Sequence, residues 1–132
     1  LKSGGLPFDP ELVKEWKHQD MQLSSFEQTL ALMKLEQPPS AILFHTETAT
    51  GILQALQQLN LTVGKDVSLI GYDDLEIAKT NIPQLTVMRP AGRNAGEQLV
   101  GLLMEAIGGR SPEKLHQIWQ AEMVLRQSTS QL

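Results

Sequence analysis

At 132 residues the chain has the length of one domain, or of a large piece of one. Lys plus Arg total 11 against 15 for Asp plus Glu, a net charge of −4, so this segment lacks the basic balance that nucleic-acid binding needs. It has no cysteine, hence no disulfide framework and no thiol chemistry, and no apolar run approaches the ~20 residues of a membrane span.

Leu1 to Pro7 reads as loop, punctuated by Gly4, Gly5 and Pro7. Asp9-Pro10-Glu11 is a helix-start signal: an Asp N-cap, Pro at the first helical position and an acid in the first turn. A short helix or turn should follow, with Leu12, Val13 and Trp16 as its apolar face. Lys17 to Gln22 is polar and irregular. Ser24 and Glu27 have capping-box spacing, and Leu23, Phe26, Leu30 and Met33 recur at helical spacing. They predict an amphipathic helix to about Leu35, with a start one turn earlier, near Asp20, as the alternative. Pro38-Pro39 ends it.

Ala41 to Phe44 is a short apolar run after a Pro-rich turn and predicts a buried strand. Ala49, Ile52, Leu53, Leu56 and Leu59 mark a second helix, closed by Asn60. Thr62 to Asp66 is loop. Val67 to Tyr72 is the central strand, apolar enough to be buried on both faces. Leu75 to Lys79 can make one or two helical turns before Ile82-Pro83 breaks them. Leu85 to Met88 is a further strand. Gly92-Arg93-Asn94 opens the longest helical pattern, with Leu99, Leu103, Ala106 and Ile107 on one stripe and Gly108-Gly109 as its stop. Ile118 to Leu125 is the last strand candidate. Alternation of this kind predicts an α/β fold with a mainly parallel sheet and helices on both faces. Two helical segments precede the first clear strand, so the N-terminal end looks cut. The chain also begins with Leu rather than Met, with no signal-peptide pattern, as an excised or processed piece would.

Val67 to Asp74 organises the rest. Gly71 should let the chain leave the strand in a conformation other residues resist. Asp73 and Asp74 then stand at the strand's C-terminal edge, where open α/β sheets bind ligands. The plainer reading has Asp74 capping the next short helix and Asp73 solvated. His45, Thr46 and Glu47 follow the preceding strand and face the same edge if the two strands are parallel neighbours. His45 with Glu47 has the makings of acid–base machinery. Equally, Thr46 can cap the next helix and Glu47 can favour its dipole.

Other chemistry finds no pattern. There is no Gly-x-Gly-x-x-Gly, no phosphate loop and no Gly-x-Ser-x-Gly elbow. His18, His45 and His116 lack metal-ligand spacing, so neither a metal nor a cofactor is expected. Trp16 and Trp119 read as packing residues.

Four phrases stand in order over about 100 residues. They are Val63 to Asp74, ending Val-Ser-Leu-Ile-Gly-Tyr-Asp-Asp; Pro83-Gln84-Leu85-Thr86-Val87-Met88; a helix with an early glycine, Gly96 to Ile107; and the tail Glu122-Met123-Val124-Leu125-Arg126-Gln127-Ser128-Thr129. From Phe26 onward they resemble the effector-binding domain of LacI/GalR-type transcriptional repressors, a periplasmic-binding-protein-like (type I) fold of two α/β subdomains. The resemblance implies that Asp73 accepts hydrogen bonds from sugar hydroxyls, which suits a charged acceptor. The family's Asn-Asp pair after the preceding strand is absent. His45 and Thr46, or Thr46 and Glu47, stand there, with His45 as the best substitute. An aromatic near the start of the Phe26 helix is replaced by Asp20 or Met21, and a Gln after the strand following the Asp pair by Pro90. The implied ligand-binding residues are thus Asp73, His45, Thr46 and Asp20.

The resemblance makes residues 1–132 a truncated C-terminal portion of an effector-binding domain, with no DNA-binding domain in this chain. It implies a binding module without catalysis in a cytoplasmic regulator, away from membranes. The effector would be a small molecule, a sugar, and DNA would be met only through an N-terminal domain outside this chain. The long helix from Asn94 would cross to a missing subdomain and so expose apolar surface here, which predicts a homodimer or swapped oligomer. Thr48 to Leu59 and Ile77 to Ile82 are the contacts that family dimers suggest. Two rivals remain: a fragment of a periplasmic sugar-binding protein of the same fold, and an enzyme using His45, Glu47 and Asp73.

Overall fold

The computed structural model describes residues 5, 8–15, 18–90 and 95–129. Strands β1 (Ala41–His45), β2 (Ser68–Tyr72), β3 (Thr86–Arg89) and β4 (Glu122–Val124) form one sheet in the order β1-β2-β3-β4. The first three are parallel and β4 runs antiparallel to β3. Helix α1 (Met21–Met33) precedes β1, and α2 (Ala49–Gln58), α3 (Glu76–Thr80) and α4 (Ala95–Ile107) separate the strands. The mainly parallel α/β sheet is thus the one the alternation of elements predicts.

The core follows from the two periodicities. Ile42 and Phe44 of β1, Leu69 of β2 and Val87 of β3 point to one face of the sheet. Ala49, Ile52 and Leu56, spaced three and four apart on α2, cover that face, joined by Ala78 of α3. On the opposite face β1 is open: Ala41 and Leu43 are exposed, Leu43 at 67%. α1 packs on α2 through small polar residues, with Ser24, Ser25 and Thr29 buried. The helices approach so closely that a Cβ on Gly51 would stand 2.2 Å from the Gln22 carbonyl oxygen and from Ser25 Oγ.

Several boundaries differ from the sequence expectation. α1 starts at Met21 because Asp20 caps it, its Oδ1 accepting from the Leu23 N–H at 3.1 Å. The alternative start near Asp20 is the one realised, and Ser24 lies buried inside the helix rather than capping it. The Asp9 cap forms as expected, accepting from the Glu11 N–H at 2.9 Å, but yields only a 3-10 turn, Pro10–Leu12. Leu12 and Val13 stay exposed, and Trp16 lies outside the described residues. β4 is shorter than the Ile118 to Leu125 run, and Ile118 is exposed. Gly92-Arg93-Asn94 also lies outside the described residues. α4 buries none of its residues: Leu99, Val100, Leu103, Met104 and Ile107 all face outward.

Gly71 requires a correction. It sits inside β2 without positive φ; the left-handed residue at this strand end is Asp73, with φ 81. Gly71 is needed for space instead. A Cβ there would lie 2.5 Å from Thr46 Oγ1 and 3.3 Å from Val87 Cγ1.

The tail closes the sheet. Ser128 is fully buried; its Oγ accepts from the Thr86 N–H at 2.8 Å and donates to the Leu69 carbonyl at 2.6 Å. Its own carbonyl accepts from the Leu69 N–H at 2.8 Å. Thr86 Oγ1 accepts from the Arg126 N–H at 2.9 Å and lies 2.9 Å from Thr129 Oγ1. Residues 126–129 thereby satisfy backbone groups of β2 and β3 that would otherwise be buried without partners.

Candidate ligand site

Because β1, β2 and β3 are parallel, their C-terminal ends share one edge. His45, Tyr72 and Met88 lie in one cross-strand row. Just beyond it stand Glu47, Asp73 and Arg89. His45 joins two carboxylates: its Nε2 is 3.9 Å from Asp73 Oδ2 and its Nδ1 is 3.7 Å from Glu47 Oε2. The His45 and Tyr72 rings are tilted, with centroids 6.4 Å apart. Both ionic separations exceed hydrogen-bond length, so the Asp73 carboxylate, 37% exposed, keeps acceptor capacity towards solvent. Sequence reasoning therefore places Asp73, His45 and Glu47 correctly on one rim. Among the described residues no group of three or more His, Asp or Glu side chains could hold a metal ion.

Asp74 does not cap α3. The N-cap there is Leu75, and no side chain bonds to that helix start. Asp74 instead turns inward, 7% exposed, and accepts from Arg126 Nη2 at 2.7 Å and Arg89 Nη1 at 3.4 Å. Arg126 Nη1 donates to the Leu85 carbonyl at 2.8 Å, and Arg89 Nη2 pairs with Glu122 at 3.0 Å. The two adjacent acids diverge, one to the rim and one to a salt-bridged interior.

Thr46 also departs from both expectations. It is fully buried, and its Oγ1 donates to the carbonyl oxygens of Tyr72 and Asp73, each at 2.7 Å. It neither caps a helix nor reaches solvent, so direct ligand contact is closed to it. Glu47 does stand in the first turn of a 3-10 segment, Thr46–Thr48. Asp20, expected at the ligand site, has its carboxylate on the α1 N-terminus. Gln22 is the residue that sequence reasoning passes over. Its Nε2 donates to the Glu47 carbonyl at 2.8 Å, and its Oε1 accepts from the Gly51 N–H at 3.0 Å, pinning α1 to the segment after β1. Neither bond has a local sequence signal, since the partners lie 25 and 29 residues away.

A cavity of about 500 Å³ opens at the free edge of β1, walled by Val13, Thr29, Leu32, Leu43 and Phe44. It meets the rim at His45, while Asp73 and Glu47 do not line it.

The chain is an α/β domain with a mainly parallel sheet, and its part-exposed acid stands at the C-terminal edge, where open α/β sheets bind ligands. Residues 4–129 match the family model of the periplasmic binding protein-like domain, and the chain belongs to that family, in its LacI-type form. It is 32% identical over 106 residues to the lactose operon repressor of Rhizobium radiobacter, covering 80% of this chain and 93% of that one. It is 34% identical over 99 residues to the transcriptional repressor PurR of Vibrio campbellii, covering 74% of this chain and 30% of that repressor. Among solved structures, a LacI-family regulatory protein from Chloroflexus aggregans superposes with a TM-score of 0.81 at 27% identity, over 97% of this chain and 46% of that one. The chain thus spans about a third of the Vibrio repressor and just under half of the Chloroflexus protein. These relatives are two transcriptional repressors and a LacI-family regulatory protein. No helix among the described residues is long and apolar enough to cross a membrane.

Proposed function

We propose that this chain is the C-terminal part of the effector-binding domain of a cytoplasmic transcriptional repressor. It binds a neutral sugar without catalysing a reaction. DNA is contacted by a domain outside residues 1–132. The observation that carries the reading is the Asp73 carboxylate: part-exposed, at the C-terminal edge of a parallel sheet, beside His45. Asp73 accepts from adjacent sugar hydroxyls while His45 hydrogen-bonds a further one. Binding that favours one arrangement of the regulator shifts its population away from the DNA-binding state. The repressor names of the relatives favour this reading over a periplasmic carrier. The outward-facing α4 stripe and the open face of β1 support assembly into dimers.

Titration calorimetry against neutral mono- and disaccharides, lactose among them, tests the reading. The protein should bind at least one, and Asp73→Ala should weaken that binding ~100-fold, the loss of two charge-assisted hydrogen bonds. Unchanged affinity in Asp73→Ala, or no binding across the panel, refutes it.

A further inference from the structure

The acid that faces the ligand stands on backbone that most residues avoid. At φ 81 Asp73 is in the left-handed region, where a side chain crowds its own carbonyl. Such a conformation persists only where its surroundings hold it. The Asp73 N–H donates to the Met88 carbonyl at 3.0 Å. Its carbonyl, with that of Tyr72, shares the Thr46 hydroxyl proton at 2.7 Å. The next residue, Asp74, is fixed by Arg126. Thr46 is the only one of these partners that comes from the β1 side, which also supplies His45. A Cβ on Gly71 would stand 2.5 Å from its hydroxyl oxygen, too close for both to keep their places.

We propose that Thr46 is the positioning residue of the ligand rim: its buried hydroxyl ties the end of β1 to the Tyr72-Asp73 turn and so sets the Asp73 carboxylate against His45. Gly71 is the vacancy that admits this hydroxyl. The proposal rests on Asp73 being the ligand acid, but its backbone half can be read without any ligand.

Amide hydrogen exchange by NMR reads the Asp73 N–H, with the Leu69 N–H, bonded to Ser128, as internal reference. Calorimetry with lactose reads the rim. Thr46→Val keeps the shape and removes the hydroxyl, whereas Thr46→Ser keeps the hydroxyl. In Thr46→Val, exchange at Asp73 should accelerate about tenfold relative to Leu69, and the lactose Kd should rise about tenfold, as the loss of one buried hydrogen bond implies. Thr46→Ser should restore both to within about twofold, because the donor remains. Unchanged exchange at Asp73 in Thr46→Val overturns the proposal, as does faster exchange with an unchanged Kd. If Thr46→Val does not fold, Gly71→Ala, whose Cβ must displace the hydroxyl, is read the same way. If the unaltered protein binds no lactose, the ligand reading fails for that sugar, and the exchange ratio alone decides whether Thr46 holds the turn.

Discussion

Replacing Asp74 by Asn should cost this domain much of its stability. Asp74 and Arg126 are 7% and 13% exposed and lie 2.7 Å apart. The amide keeps the shape but removes the anion, leaving a guanidinium largely shut off from water. Breaking a buried pair by removing one partner costs about 3–5 kcal/mol. Two features reduce that here. Arg126 retains its bond to the Leu85 carbonyl, and Arg89, the second partner, is half-exposed and still paired with Glu122. A loss of about 2–3 kcal/mol is therefore expected, a drop in Tm of roughly 6–15 °C for a domain of this size. Urea unfolding followed by circular dichroism supplies the number. A cycle of Asp74→Ala, Arg126→Ala and the double variant isolates the pair, with a coupling of about 2 kcal/mol expected. Single effects that add to within about 0.5 kcal/mol would refute the reasoning, because the two charges would then act independently.

Ser128→Ala removes both the acceptor of the Thr86 N–H and the donor to the Leu69 carbonyl; with each orphaned group costing about 1–3 kcal/mol, chemical denaturation should show a loss of at least about 2 kcal/mol. Gly51→Ala drives a methyl into the α1 backbone and Ser25; overpacking of this kind costs about 1–3 kcal/mol, and a Tm equal to the parent's would show that the two helices part easily. Asp20→Ala should cost ~1 kcal/mol of stability through the lost cap. It should leave sugar affinity unchanged; a large loss by calorimetry would return Asp20 to the ligand site.

What the sequence discloses about this fold is what local rules control. Ala41 to Phe44 and Val67 to Tyr72 are short apolar runs between turn signals, and both became parallel strands. Asn60 and Gly109 end helices in the left-handed conformation that their residue types permit. Local rules fail where two residues satisfy the same rule. Both Asp20 and Ser24 can cap the first long helix; Asp20 takes the Leu23 N–H, and Ser24 lies buried within the helix. They fail more deeply at the Asp pair. Adjacent acids look alike in a sequence, yet Asp74 turns inward because Arg126, 52 residues on, meets it there. Thr46 reads as a cap for the same reason: its true partners are the carbonyls of Tyr72 and Asp73, 26 and 27 residues away.

Three of the four phrases that mark the chain as LacI-like turn out to be one hydrogen-bonded body. Gly71 admits the Thr46 hydroxyl, and that hydroxyl holds the Asp73 turn. Asp74 takes Arg126, and Arg126 also takes the Leu85 carbonyl. Thr86 bonds to Arg126, Ser128 and Thr129, and Ser128 returns to Leu69 in the strand that carries Gly71. Each contact joins segments far apart in the chain, so the phrases are tied by mutual satisfaction of buried polar groups rather than by local propensity. The rim acid therefore stands on a support reaching from β1 to the tail. Loosening the tail at Ser128 should reach Asp73 through this path, whereas trimming an outward side chain of α4, which buries nothing, should leave it in place.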